Sequence, residues 1–153
     1  MNWTLRPATA DDLEDLVELR AVVMRPDLER LGRYDEHRVR QRLRDGYDPE
    51  HTQIIEVDGE LAGSITVRPA AAPVEGRPAE SRWLEHFYLD PRHQGRGLGT
   101  AVLGTVLAAA DADQATLRLN VLQGSPARSL YERHGFVVES EDPVDLFMVR
   151  KFL

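Results

Sequence analysis

The sequence predicts a mixed α+β fold, a mixed sheet of about seven strands with four helices. Three observations predict it. Two β-rich runs, Thr52 to Val57 and Leu61 to Val67, flank Asp58-Gly59, a strong hairpin signal. An apolar helix follows a glycine-rich turn at Gly95, Gly97 and Gly99. Strand and helix patterns then alternate, and strand–helix–strand order demands parallel neighbours in a sheet. The length of 153 residues suits one domain, so 1–153 is read as a single domain.

Taken in order, Trp3 to Arg6 reads as a short strand stopped by Pro7. Thr9 reads as a helix N-cap, with Asp12 as its capping-box partner. Leu13, Leu16, Val17, Val23 and Met24 fall on one helical stripe, which predicts an amphipathic helix over 10–24 ended by Pro26. A second helix is expected from Asp35 to Asp45, with Val39 and Leu43 as a thin apolar face and Gly46 as its stop. Arg38, Arg40, Arg42 and Arg44 are read as solvated. After the hairpin, residues 69–80 form a Pro/Ala/Gly loop, and Arg82 to Leu89 is the next strand, closed by Pro91. Leu98, Val102, Val106 and Ala110, widened by Leu103 and Leu107, predict a buried helix to about Ala110. Thr116 to Val121 is a strand. Ser125 as N-cap and Pro126 at the first helical position open a fourth helix, ended by Gly135. Phe136 to Val138 and Leu146 to Phe152 read as a closing pair around Glu141-Asp142-Pro143.

Composition excludes several functions. The net charge of −7 argues against a protein that coats nucleic acid, so no nucleic-acid partner is expected. Acidity is compatible with a cationic substrate and equally with solubility alone. No cysteine is present, which removes disulfides, thiolate metal sites and a cysteine nucleophile. The histidines at 37, 51, 86, 93 and 134 show no metal-ligand spacing, so no metal is expected. The N-terminus turns acidic before any apolar run, and the apolar run Ala101 to Ala110 is far short of a bilayer span. No membrane partner is expected, and the cytoplasm is the expected location.

The chemistry concentrates in Leu84-Glu85-His86-Phe87-Tyr88-Leu89-Asp90-Pro91-Arg92-His93-Gln94-Gly95-Arg96-Gly97-Leu98-Gly99-Thr100. Glycines let a backbone approach a ligand closely, and exposed amides at a helix start form an anion site suited to a pyrophosphate. A P-loop needs a lysine that is absent here. A dinucleotide fingerprint needs a third glycine where Thr100 stands. What remains is Gln94-x-x-Gly97-x-Gly99.

That pattern resembles the Q/R-x-x-G-x-G/A signature of the GCN5-related N-acetyltransferase (GNAT) superfamily. Leu89-Asp90-Pro91 is similar to the family's V-x-P lead-in. Ser125-Pro126-Ala127-Arg128-Ser129-Leu130-Tyr131-Glu132-Arg133-His134-Gly135-Phe136 resembles its N-P-A-x-x-L-Y-E-R-x-G-F block, with Ser125 in place of Asn. Phe147 to Arg150 resembles its closing strand, and the predicted element order matches the GNAT acyl-CoA N-acyltransferase fold throughout.

The resemblance implies an acetyltransferase with acetyl-CoA as cosubstrate and direct transfer in a ternary complex. It implies that the backbone of Phe87, Tyr88 and Leu89 pairs with the pantetheine arm, in a gap beside the next strand. Gln94, Gly95, Arg96, Gly97, Leu98, Gly99 and Thr100 would hold the pyrophosphate. Ser125 would stand at a cofactor contact with a shortened reach. Tyr131 would protonate the leaving thiolate, the alternative being helix packing. Glu85 would be the base, or else a structural or substrate-binding carboxylate. Alternation would place it with Phe87 and Leu89, opposite His86 and Tyr88. His86 is a further candidate, and Asn120 stands where other members carry a glutamate.

The acceptor is expected to be a small-molecule amine, held by the first two helices, the 69–80 loop and the closing strands. Tyr34, Asp35 and Glu36 could face a cationic amine or merely cap the second helix. Protein or peptide acceptors, and an acyl-CoA sensor without turnover, are the alternatives. A homodimer is compatible with the resemblance.

Overall fold

A computed structural model describes residues 2–70 and 81–152. Among the described residues seven strands form a mixed sheet in the order β1-β2-β3-β4-β5-β7-β6. They are β1 (Trp3–Pro7), β2 (Thr52–Val57), β3 (Glu60–Pro69), β4 (Ser81–Leu89), β5 (Thr116–Leu122), β6 (Val137–Glu141) and β7 (Asp145–Arg150). The helices are α1 (Leu13–Arg30), α2 (Glu36–Gly46), α3 (Leu98–Ala112) and α4 (Ala127–Arg133). The expected seven strands and four helices are therefore all present. The 69–80 loop falls mostly outside the described residues.

The chain divides into two compact units, one of Met1–Thr66 with His86–Leu98, the other of Val67–Glu85 with Gly99–Leu153. In the first unit β1, β2 and β3 run antiparallel, with Leu5 opposite Ile55 and Ile54 opposite Ser64. Asp58 and Gly59 turn the β2–β3 hairpin with φ of +50° and +83°, the pair of left-handed residues a type I′ turn requires. Leu16, Val17, Leu19, Leu43, Ile54 and Tyr88 form the core of this unit.

Thr9 caps the entry to α1 as expected. Its hydroxyl accepts from the Asp11 amide at 3.2 Å, and Asp12 Oδ2 accepts from the Thr9 amide at 2.9 Å. The end of α1 departs from expectation: Pro26 lies inside the helix, which continues to Arg30. Proline removes its own N–H and frees the carbonyl four residues earlier. That residue, Val22, is 56% exposed, so water can solvate the freed group. The Arg25–Glu29 and Arg30–Asp27 ion pairs hold the last turns.

The arginines of α2 lie at the surface, as expected, and two of the four also bridge the helices. Arg40 meets Glu18 at 3.1 Å and Arg44 meets Glu14 at 2.8 Å. Their spacing of four on α2 matches that of Glu14 and Glu18 on α1, so the charged rows align.

In the second unit β7 lies antiparallel to both β5 and β6, with Leu119 opposite Met148 and Val138 opposite Met148. Leu103, Leu107, Leu117, Leu119, Phe136, Leu146 and Met148 are buried there. Arg150 is 7% exposed and makes a two-point ion pair with Asp111 at 2.9 and 3.0 Å. β4 and β5 pair in parallel, as strand–helix–strand order demands, from Ser81↔Thr116 to Trp83↔Arg118. Among the described residues that register stops there, although β4 continues to Leu89 and β5 to Leu122.

Candidate active site

The segment read as chemically informative spans the end of β4 and the turn into α3. The expected grouping of His86 with Tyr88 is observed, His86 Nδ1 lying 3.0 Å from Tyr88 Oη. His86 has φ of +50°, in the left-handed region where a non-glycine residue is strained by about 1 kcal/mol or more. β4 nonetheless runs on through it to Leu89. The His86 carbonyl accepts from Ser64 Oγ at 2.9 Å, and the Tyr88 carbonyl lies hard against Gly63. A Cβ on residue 63 would sit 2.0 Å from that oxygen, so glycine alone fits.

β4 hands over to a short 3₁₀ turn, Pro91–His93. Asp90 caps it, its carboxylate accepting from the Arg92 amide at 2.9 Å. The Arg92 guanidinium and that amide hold the Asp90 carboxyl below its ordinary value. Gln94 Nε2 donates back to the Leu89 carbonyl at 2.9 Å, so this side chain braces the loop. Gly95 and Gly97 follow at φ of +76° and +80°, with nothing within 4 Å of where a Cβ would stand. Among the described residues the amides of Gly95, Arg96 and Gly97 donate to no protein acceptor. Leu98, Gly99 and Thr100 open α3, where first-turn amides lack helical partners. Leu98 is buried and anchors the turn, while Gly95, Arg96, Gly97 and Thr100 are exposed. A row of unspent donors on an exposed, glycine-shaped backbone fits the pyrophosphate of a coenzyme A ester.

Glu85 is not a lone carboxylate. Its Oε1 accepts from Arg68 Nε at 2.7 Å, a pairing the sequence reading did not contain. Asn120 is exposed, its amide donating to Asp145 Oδ1 at 3.0 Å. Tyr131 is 6% exposed, with its ring edge-on to Phe136 at 5.5 Å. The same tyrosine therefore packs α4 to the segment after it. Ser125 caps α4 through Oγ, which accepts from the Ala127 amide at 3.2 Å.

In the first unit, Tyr88 Oη lies 2.9 Å from Arg20 Nε and 3.0 Å from His86 Nδ1. Arg20 also donates to the Val39 carbonyl. This cluster was missed as a cluster, although Arg20 interrupts an otherwise apolar stripe on α1. Asp35 does cap α2, accepting from the amides of Arg38 and His37, which lower its carboxyl. Tyr34 lies under the Arg25 guanidinium at 4.7 Å, and Glu36 lies 4.0 Å from Arg40. The capping alternative is thus the one observed for Asp35. A cavity of about 410 Å³ is lined by Asp15, Glu18, Leu19, Leu61, Asp90 and Arg92. It contains none of the site residues expected from the sequence.

Asp48, Glu50 and His51 bring possible metal-ligand atoms within 4.8 Å of one another, with His51 Nδ1 2.8 Å from Asp48 Oδ2. Histidine spacing alone gave no hint of this group, since its partners are carboxylates. Among the described residues no helix is long and apolar enough to cross a membrane.

The acetyltransferase (GNAT) family profile matches residues 13–136. No curated protein matches the chain. Solved structures share the fold. The PaiA N-acetyltransferase of Thermoplasma acidophilum, in complex with coenzyme A, is 23% identical with a TM-score of 0.77, covering 99% of this chain and 100% of its own. The PH1933 protein of Pyrococcus horikoshii OT3 is 19% identical, TM-score 0.76, with 99% of each chain covered. Ard1 of Thermoplasma volcanium is 19% identical, TM-score 0.70, covering 100% of this chain and 99% of its own. The family match spans both the glycine turn and the Tyr131 block, and on it this chain belongs to the acetyltransferase (GNAT) family and is an N-acetyltransferase by class.

Proposed function

We propose that the protein transfers an acetyl group from acetyl-CoA directly to a primary amine of a small molecule. The observation that carries the cosubstrate is the glycine turn, whose Gly95, Arg96 and Gly97 amides have no protein acceptor among the described residues. Gln94 braces the turn, and Gly95 to Thr100 present their N–H groups to the pyrophosphate. On β4 the carbonyls of His86 and Tyr88 are taken up against β3. The main chain of Phe87 and the amide of Leu89 are then assigned to the pantetheine arm. Ser125, committed to capping α4, contributes at most a short contact to the cosubstrate.

Glu85 takes the proton of the attacking amine, with Arg68 fixing the carboxylate's direction. A bond forms between the amine nitrogen and the acyl carbon, the carbon–sulfur bond breaks, and the departing sulfur takes the hydroxyl proton of Tyr131. A main-chain N–H of β4 polarises the acyl oxygen. The acceptor is assigned as a small molecule because the proposed reacting side chains are recessed: Tyr131 is buried and Glu85 is half-buried. A broad peptide surface would meet them poorly.

A thiol-release assay with acetyl-CoA across amino acids, polyamines, aminoglycosides and lysine peptides tests this. Release with one small-molecule class supports the assignment. Release with peptides alone overturns the acceptor class, and binding of acetyl-CoA without release from any amine supports a sensor instead.

A further inference from the structure

Asp48, Glu50 and His51 stand together at the entry to β2, all inside the first unit. Asp48 precedes the 3₁₀ turn Pro49–His51, and β2 follows that turn directly. One ligand atom from each of the three lies within 4.8 Å of the other two. Two carboxylates alone would make an ordinary acidic turn. The imidazole changes the chemistry, because a nitrogen beside two carboxylate oxygens suits a transition cation better than a hard one.

Two further observations separate this group from the chain's other carboxylates. Glu14, Glu18, Glu85 and Asp111 each meet an arginine. Among the described residues neither Asp48 nor Glu50 meets an arginine or a lysine, so two negative charges converge with no permanent counter-charge. Asp48 also occupies the N-cap position of its turn, where an aspartate ordinarily spends its carboxylate on the first amides. It bonds none of them, and Oδ2 faces His51 Nδ1 at 2.8 Å instead. The turn is held through the Asp48 carbonyl, which accepts from the Thr52 hydroxyl at 2.7 Å. Thr52 is itself buried, with its hydroxyl 2.7 Å from that of Thr66. The backbone is fixed while the ligating side chains are left uncommitted to it.

We infer that Asp48, Glu50 and His51 bind a divalent transition cation of the zinc class, as a structural clamp on the entry to β2. Donor atoms around a four-coordinate zinc stand about 3.4 Å apart. The Asp48–His51 pair opens slightly to that spacing, and the exposed Glu50 side chain swings in. Facing a carboxylate, Nδ1 carries the imidazole proton. The cation takes that place, and the proton moves to Nε2, which meets no protein group among the described residues. The fourth position is left to water.

The test is calorimetric titration of the chelator-stripped protein with Zn²⁺, and separately with Mg²⁺ and Ca²⁺, beside ¹H–¹⁵N spectra of the histidine side chains. One Zn²⁺ should bind per chain, about 100-fold or more tighter than Mg²⁺ or Ca²⁺. The His51 ring nitrogens, assigned by their loss in His51→Gln, should shift to the pattern of metal at Nδ1 and a proton at Nε2. His51→Gln and Glu50→Gln should each weaken zinc about 10- to 100-fold, while His37→Gln, at an exposed position on α2, should not. Zinc at about 100 times its dissociation constant should raise the parent's Tm by about 5–10 °C, and that of either variant by clearly less. No zinc binding by the folded parent overturns the inference. So does binding that leaves the His51 nitrogens unmoved, the mark of an adventitious ion only. Glu50 is exposed, so Glu50→Gln keeps the test decisive should His51→Gln not fold: zinc affinity unchanged in Glu50→Gln overturns the site.

Discussion

Gly63 on β3 presses its α-carbon against the carbonyl oxygen of Tyr88 on β4, so closely that a Cβ would fall 2.0 Å from it. Neither partner can yield cheaply, because the obstructing atom is main chain. Gly63→Ala should therefore cost roughly 2–3 kcal/mol, lowering Tm by about 5–10 °C. Gly104 in α3 is the control, since nothing lies within 4 Å of its Cβ position. Gly104→Ala should stabilise by about 0.5–1 kcal/mol. Thermal unfolding of both variants checks the pair. Equal effects would contradict the close packing of β3 on β4.

Glu85 and Arg68 separate two roles. If the carboxylate is the base, Glu85→Gln should lower kcat about 100-fold or more with little change in acceptor KM. Arg68→Met should lower kcat less, by loosening the carboxylate's direction. A rise in acceptor KM with kcat intact would instead identify Glu85 as a substrate-binding group.

Tyr131→Phe keeps the ring that meets Phe136 edge-on and removes only the hydroxyl. Turnover should fall about 100-fold while Tm stays within about 3 °C of the parent. Unchanged turnover would leave Tyr131 with packing alone.

Asp12 gives a pH signature of stability. The Arg6 side chain bonds both its oxygens, at 2.8 and 3.0 Å, and holds the folded-state carboxyl below its ordinary value, with the Thr9 amide adding to the effect. A depressed folded pKa means stability that is fully present above the unfolded value, about 4 for aspartate, and lost as pH falls through the folded one. Asp12→Asn should cost roughly 2 kcal/mol at pH 7. The gap to the parent should close progressively below about pH 4. Chemical denaturation at both ends of that range reads it; a gap that is constant with pH would contradict the pairing.

Periodicity made α2, α3 and every strand legible, and the Asp58-Gly59 and Thr9–Asp12 signals act locally, as expected. Pro26 misled because whether a proline ends a helix depends on where the freed carbonyl points, and Val22 faces water. The positive φ of His86 was not legible, since the residue is not glycine. Arg68–Glu85 and Arg40–Glu18 join residues 17 and 22 apart, a pairing only the folded chain specifies. Arg20 did leave a trace, as an arginine on the Leu13–Leu16–Val17–Val23–Met24 face. Its burial, and the absence of a carboxylate beside it among the described residues, could be seen only in three dimensions. Of the candidate site residues, the turn at Gln94 to Thr100 had the most legible conformation, because a glycine turn encodes its own backbone.

Calorimetric titration of the protein with acetyl-CoA and with CoA, beside the same titration of Gly97→Ala, tests the central claim most directly. An alanine at φ of +80° is strained by about 1–2 kcal/mol, so a turn that binds the pyrophosphate should lose about tenfold in affinity when it is introduced. Saturable binding of both ligands by the parent, weakened in the variant, is the predicted result. No binding of either ligand by the folded parent would contradict the account and leave the glycine turn as nothing more than the start of α3.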